Sequence, residues 1–235
     1  MESLTLQDTI AANLAAVRSR LGLAAARAGR EPSSIRLIAV SKTFPIAYVR
    51  AARAAGQTEF GENRLQEALE KIGLSSDMSI KWHLVGHLQS NKARRAAESF
   101  ACIHSVTSSD LLRRVDSAAV QGDHHPEVLI QVDLAGEPTK FGATAEALPS
   151  IFEEAAACRA VRVVGLMVLP PFTPDPEGAR PFFRGLRNIR DELAGRGIPS
   201  SMLRELSMGM SHDFEVAVEE GATLVRVGTA LFGTR

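Results

Sequence analysis

Short, nearly continuous apolar runs alternate along the chain with longer stretches in which apolar residues return every three or four positions. Runs such as IRLIAV, PEVLIQV and VRVVGLMV lack the alternation of a half-solvated strand, and so predict strands covered on both faces. Eight are expected: Ile35 to Val40, Thr58 to Gly61, Ile80 to Val85, Ala101 to Ser105, Glu127 to Val132, Arg162 to Val168, Leu203 to Ser207 and Thr223 to Val227. Helical spacing predicts helices between and after them at Ile46 to Ala55, Arg64 to Ile72, Ser90 to Glu98, Ser109 to Gln121, Ala143 to Ala156, Pro176 to Arg196 and Asp213 to Glu220. Ahead of the first strand, Ile10, Leu14, Val17 and Leu21 share a helical face, so residues 1–30 are expected to hold an amphipathic helix packed on the rest.

Strands regularly followed by helices describe an α/β protein built on a parallel sheet. Residues 1–235 are therefore read as one domain, a TIM-type (β/α)8 barrel with an extra N-terminal helix, whose chemistry sits in loops leaving the C-terminal strand ends. An open doubly wound sheet is the alternative. It lacks its usual phosphate loops here: no GxGxxG follows the first strand and no GxxxxGK[ST] occurs.

Lys plus Arg (27) balances Asp plus Glu (27), so no global basic field draws the chain to nucleic acid or anionic membrane, and a small-molecule ligand is the better expectation. Cys102 and Cys158 have no CxxC partner, which fits a reducing cytoplasm. No apolar run approaches the roughly 20 residues that span a bilayer, and a cytoplasmic monomer is expected.

Of five lysines, Lys42 follows the first strand directly, in IAVSKTFP, and so falls on the active face of the expected barrel. Beside Ala39, Val40 and Phe44 it is expected to be partly desolvated, which favours the neutral amine that attacks an aldehyde. Lys71, Lys81 and Lys92 are expected to face solvent or the far end of the barrel; Lys140, after the fifth strand, is the competitor.

The segments LSMGMSHD and VRVGTALFG, after strands seven and eight, suggest a phosphate cup. Gly209 and Gly228 let backbone N–H groups approach an anion, and Ser207, Ser211 and Thr229 add hydroxyls. TIM-type barrels commonly bind phosphate there. Closure sets strand eight about 4.8 Å from strand one, bringing the cup to Lys42. A ligand with an aldehyde beside a phosphomethyl arm, as in pyridoxal 5′-phosphate (PLP), would satisfy both; a sugar phosphate bound by a Schiff-base aldolase remains open.

Arg226 either points into the mouth, where it would keep a pyridine nitrogen unprotonated, or pairs with a carboxylate. Asn63, in FGEN, could meet a ring hydroxyl or cap a helix. His83 and His87 lack HExxH spacing and an accompanying carboxylate, so no metal site is assigned. Glu62 and Asp133 are expected in solvated or paired roles rather than as a catalytic couple.

Taken in order, IAVSKTFP, FGENRLQEA, WHLVGHLQSNKAR, IHSV, VLIQVDLAGEPTKFG, GLMVLPP and LSMGMSHDFEVAVEEGATLVRVGTALFG resemble the pyridoxal phosphate homeostasis protein family, also called the YggS/PROSC family. The resemblance runs from the first strand to the C-terminus. It implies an alanine-racemase-type barrel with PLP as a Schiff base on Lys42. It also implies phosphate contacts from Ser207, Met208, Gly209, Met210, Ser211, Gly228 and Thr229, with Arg226 near the pyridine nitrogen and Asn63 lining the pocket. Family members often differ at the positions of Phe44 and His212. They are regarded as non-catalytic carriers and regulators of vitamin B6, with PLP-dependent apoenzymes as possible recipients.

A PLP-dependent amino-acid racemase is the rival expectation. It needs a second acid/base on the other ring face, which in alanine racemase is a tyrosine from an added β-domain. Here the sequence stops soon after strand eight, and its sole tyrosine, Tyr48, falls on the helix after Lys42. Binding without turnover is the expectation.

Overall fold

The computed structural model describes residues 5–136 and 141–234. Its described elements begin with helix α1 (Leu6–Arg27) and continue through β1 (Arg36–Val40), α2 (Ile46–Ala54), β2 (Glu59–Glu62), α3 (Leu65–Leu74), β3 (Lys81–Leu84), α4 (Ala93–Ser99), β4 (Cys102–Val106) and α5 (Ser109–Gly122). They then run through β5 (Glu127–Gln131), α6 (Leu148–Ala157), β6 (Arg162–Met167), α7 (Arg180–Gly195), β7 (Glu205–Met210), α8 (Phe214–Glu219), β8 (Leu224–Val227) and α9 (Thr229–Phe232). All eight strands are parallel and pair in chain order, and β1 pairs with both β2 and β8 to close the barrel. The TIM-type architecture expected from the sequence is the one observed.

The apolar runs divide between two layers. Ile38, Cys102, Leu129, Val164, Met167 and Leu224 pack together in one buried cluster, while their strand neighbours, such as Ala39, Ile103, Val128 and Val225, pack in a larger one with the helices. Both faces of each strand are covered, and alternation is therefore invisible in the sequence. At the N-terminal end of the barrel, Arg36 lies 3.0 Å from Glu205 and 3.5 Å from Glu59, giving charged groups at a wet end partners.

Helix α1 starts at a capping box in which Thr5 and Asp8 satisfy each other's backbone N–H groups. Its buried face is Ile10, Leu14, Val17, Leu21, Ala24 and Ala25, and it packs on α2, α8 and α9. Most other elements fall within two or three residues of expectation. The sixth and seventh helices begin later than expected, at Leu148 and Arg180, because single 3-10 turns at Ala145–Ala147 and Pro176–Ala179 precede them.

Among the strands β7 departs most from expectation, running on through Gly209 to Met210 where a glycine loop was expected after Ser207. Gly209 has φ +90°, and a Cβ there would lie 2.6 Å from Ala217 Cβ and 2.9 Å from Phe214 Cα. That glycine lets α8 close onto the strand.

Candidate functional site

A cavity of about 450 Å³ opens at the C-terminal end of the barrel, lined by residues including Lys42, Asn63, Met210, Ser211, Arg226, Gly228 and Thr229. Its volume lies in the roughly 300–1,000 Å³ range of small-molecule sites. Residues from the ends of β1, β2, β7 and β8 meet here because closure makes β1 the neighbour of β8. The walls add Val85, Gly86 and Leu169, which were not singled out in the sequence, together with Val40 and, with polar edges, His87 and His212, to which no ligand role was given there. The His87 ring stacks on Phe141, centroids 3.6 Å apart and planes at 15°.

Lys42 is exposed at the cavity's edge rather than desolvated among Ala39, Val40 and Phe44. Ala39 faces the helices, and Phe44 packs with Tyr48 and Phe232. The chain turns sharply after β1, with Phe44 N–H donating to Ser41 O at 3.0 Å and Thr43 at φ +72°. Tyr48 lies against Phe232 and does not line the cavity.

A buried cluster holds this turn, and it corrects the expectation that Lys71 faces solvent. Lys71 is 5% exposed, and its Nζ donates to Ser41 O at 2.7 Å, Glu62 Oε1 at 2.7 Å and Glu67 Oε1 at 2.8 Å. Ser41 Oγ donates to the same Glu62 oxygen at 2.7 Å. Burial pushes the Glu62 carboxyl above its ordinary range against the pull of Lys71 and Ser41. Glu62 is thus paired under α3, while Asp133 accepts the N–H groups of Ala135 and Gly136; the two carboxylates form no couple. Asn63 lines the cavity and caps no helix, the cap of α3 falling at Arg64. A Cβ at Gly86 would lie 2.1 Å from Asn63 O, so only glycine lets the loop after β3 lie against the end of β2.

Arg226 is 4% exposed on β8 and reaches the cavity floor. It pairs with no carboxylate among the described residues; Nη1 donates to Ser207 Oγ at 2.6 Å and Nη2 to Val168 O at 2.9 Å. Burial brings its guanidinium down to about 10, with Asp213 pulling the other way. Ser211 Oγ accepts the N–H groups of Gly228 at 3.0 Å and Ala230 at 3.3 Å, marking where the first amides of α9 converge. Asp213 Oδ1 accepts Met210 N–H at 2.6 Å and holds the turn between β7 and α8.

Ser207, Met208 and Gly209 do not line the cavity, contrary to expectation. The Ser207 hydroxyl turns into the barrel interior toward Arg226 and His104, and Met208 is fully buried under the helices. His83 is buried in the barrel whereas His87 stands at the mouth, so the two do not form a pair. Lys140 lies outside the described residues.

A family profile described as the alanine racemase N-terminal domain matches residues 12–235. A protein of Aquifex aeolicus named pyridoxal phosphate homeostasis protein is 42% identical over 222 residues, covering 94% of this chain and 96% of that one. One of the same name from Pseudomonas aeruginosa is 43% identical over 228 residues, 97% of this chain and 96% of the relative. The chain belongs to the pyridoxal phosphate homeostasis protein family. PipY of Synechococcus elongatus, solved with PLP bound, matches this family member with TM-score 0.85 at 42% identity, over 95% of this chain and all of that one. An alanine racemase of Clostridium difficile shares the fold, with TM-score 0.75 at 13% identity, and this chain spans 57% of its length.

Proposed function

We propose that this protein binds PLP in the cavity at the barrel mouth and acts in PLP homeostasis as a carrier and regulator rather than as a turnover enzyme. The observation that carries this reading is the meeting, in one cavity, of an exposed primary amine, a buried guanidinium and a set of hydroxyl and amide donors. When bound, PLP supplies an aldehyde that condenses reversibly with a primary amine.

The donor set fits such a group. Lys42 would hold the aldehyde carbon, and its exposure at the edge leaves a way out for the cofactor. Ser211, Thr229 and the backbone of Gly228 would hold the phosphate, with Met210 and Asn63 along the ring. Arg226 would face the pyridine nitrogen. A guanidinium donates and does not accept, so that nitrogen stays unprotonated and the ring is a poor electron sink. Ser207, Met208 and Gly209 act one step back, through Arg226 and the packing of β7 on α8. The relatives named for PLP homeostasis and the PLP-bound PipY support the same ligand.

On this reading the recipients are PLP-dependent apoenzymes, the site of action is the cytoplasm, and one chain suffices. No helix among the described residues is long and apolar enough to cross a membrane. The test is a titration of cofactor-free protein with PLP. A band near about 420 nm should grow with the bound fraction. Conversion of L-alanine to its mirror image by the holoprotein well above the rate with free PLP would contradict the carrier reading.

A further inference from the structure

A line of polar side chains runs through the barrel interior from the cavity floor to the opposite end. Arg226 Nη1 is 2.6 Å from Ser207 Oγ, which is 2.8 Å from His104 Nδ1; His104 Nε2 is 2.9 Å from His83 Nδ1. His83 Nε2 in turn lies 3.2 Å from Glu59 Oε2, within ion-pair distance but not aligned for a hydrogen bond. Arg226, Ser207, His104 and His83 are each at most 4% exposed. Glu59 borders a depression of about 400 Å³ at the N-terminal end of the barrel.

Arg226 can only donate, so Ser207 Oγ accepts from it. Ser207 Oγ in turn shares a hydrogen with His104 Nδ1, and His104 Nε2 with His83 Nδ1. Burial, with His83 and Arg226 adding to it, pushes His104 well below its ordinary range and leaves that ring neutral. At the far end burial pushes the Glu59 carboxyl up, but His83, Arg36 and Lys81 outweigh it and hold it below its ordinary value. The line thus joins a cation at the mouth to an anion at the far end through buried polar contacts, and in a low-dielectric interior such bonds reinforce one another.

We propose that Ser207, His104, His83 and Glu59 are positioning residues for the ring end of the cofactor. The line holds the Arg226 guanidinium charged and fixed beneath the cavity, and so sets the electronic state and the retention of bound PLP. This rests on the placement of PLP over Arg226 proposed above. The line also accounts for Ser207, whose hydroxyl is turned away from the ligand.

A competing use of the same residues is a metal site, since donor atoms of His83, Cys102 and His104 lie within 4.8 Å of one another. His83 Nδ1 and His104 Nε2 are already hydrogen-bonded to each other, and burial pushes the Cys102 thiol well above its ordinary range, so it stays protonated. That set is poor in ligand charge.

The experiment uses PLP-loaded protein carrying Ser207→Ala, His104→Leu or both, with Arg226→Gln as reference. Absorption spectra and the rate of PLP loss after dilution are read, with metal content measured on the parent protein. Each single variant should deplete the band near about 420 nm and speed PLP loss about fivefold, as for one lost hydrogen bond. The double variant should be no worse than the more affected single one, because both cut the same line. Ser207→Ala removes one oxygen and carries the test if His104→Leu does not fold. Variants that lower the melting temperature but leave spectrum and release unchanged, additive effects, or a stoichiometric metal would each overturn the proposal. If Arg226→Gln also changes nothing, it is the placement of PLP that fails; if Arg226→Gln alone acts, only the line fails.

Discussion

Replacing Lys71 with methionine cuts the cluster beneath the Lys42 turn at its centre. The Lys71 and Glu62 side chains are 7% and 0% exposed, and Lys71 supplies the cluster's ammonium group. Without it Glu62 keeps Ser41 Oγ as a partner on Oε1, while Oε2 has none among the described residues even now. Removing one member of a buried pair costs about 3–5 kcal/mol, most of it from the charge left behind. The pH dependence has a definite sign. Burial already holds the Glu62 carboxyl above its ordinary range, and losing Lys71 raises it further. A carboxyl raised by folding favours the folded state while protonated, and that contribution is lost as pH rises through the raised value. Lys71→Met is therefore most destabilising near neutrality and regains stability on acidification. Urea unfolding at about pH 7 and about pH 5 should show a deficit of about 3–5 kcal/mol at the higher pH and a smaller one at the lower. Adding Glu62→Met should restore most of the loss. A deficit equal at both pH values or larger in acid would refute this account of the cluster.

Gly209→Ala forces a Cβ against Ala217 and Phe214 at a positive φ, and should lower stability by about 2–4 kcal/mol in the same unfolding assay. Ser211→Ala leaves the amides of Gly228 and Ala230 without their shared acceptor and removes the hydroxyl proposed to hold the phosphate; PLP affinity in an equilibrium titration should fall about tenfold. Burial, with Asp116 and Glu154 adding to it, pushes the Cys158 thiol up to about 12. Iodoacetamide at neutral pH should therefore label it slowly in folded protein and quickly in urea, as read by mass spectrometry.

The strand runs were legible because covered parallel strands leave uninterrupted apolar segments, and α1 because its buried face repeats at helical spacing. The end of β7 was not, since SMGMS carries the composition of a turn while Gly209 serves a close approach of α8. Ser207 was misplaced for a related reason: in a barrel both strand faces are buried, and composition does not say whether a hydroxyl points to the mouth or the interior. His104 lies on β4, three strands away from the β7 that carries Ser207, and only closure reveals the two as partners. Lys71 follows Ala68 by three positions and precedes Ile72, so its helical face was readable, but the tendency of lysine to reach water argued the other way. Lys42, Arg226, Ser211, Gly228 and Thr229 were legible together because adjacent strand ends in a closed barrel must converge.

Lys42 is the residue proposed to hold the cofactor. The direct measurement is borohydride reduction of the PLP-loaded protein followed by peptide mapping. One stoichiometric phosphopyridoxyl adduct on Lys42, absent from Lys42→Ala, is the predicted result. An adduct found chiefly on Lys140, or a Lys42→Ala protein that still shows the full band near about 420 nm, would contradict the account.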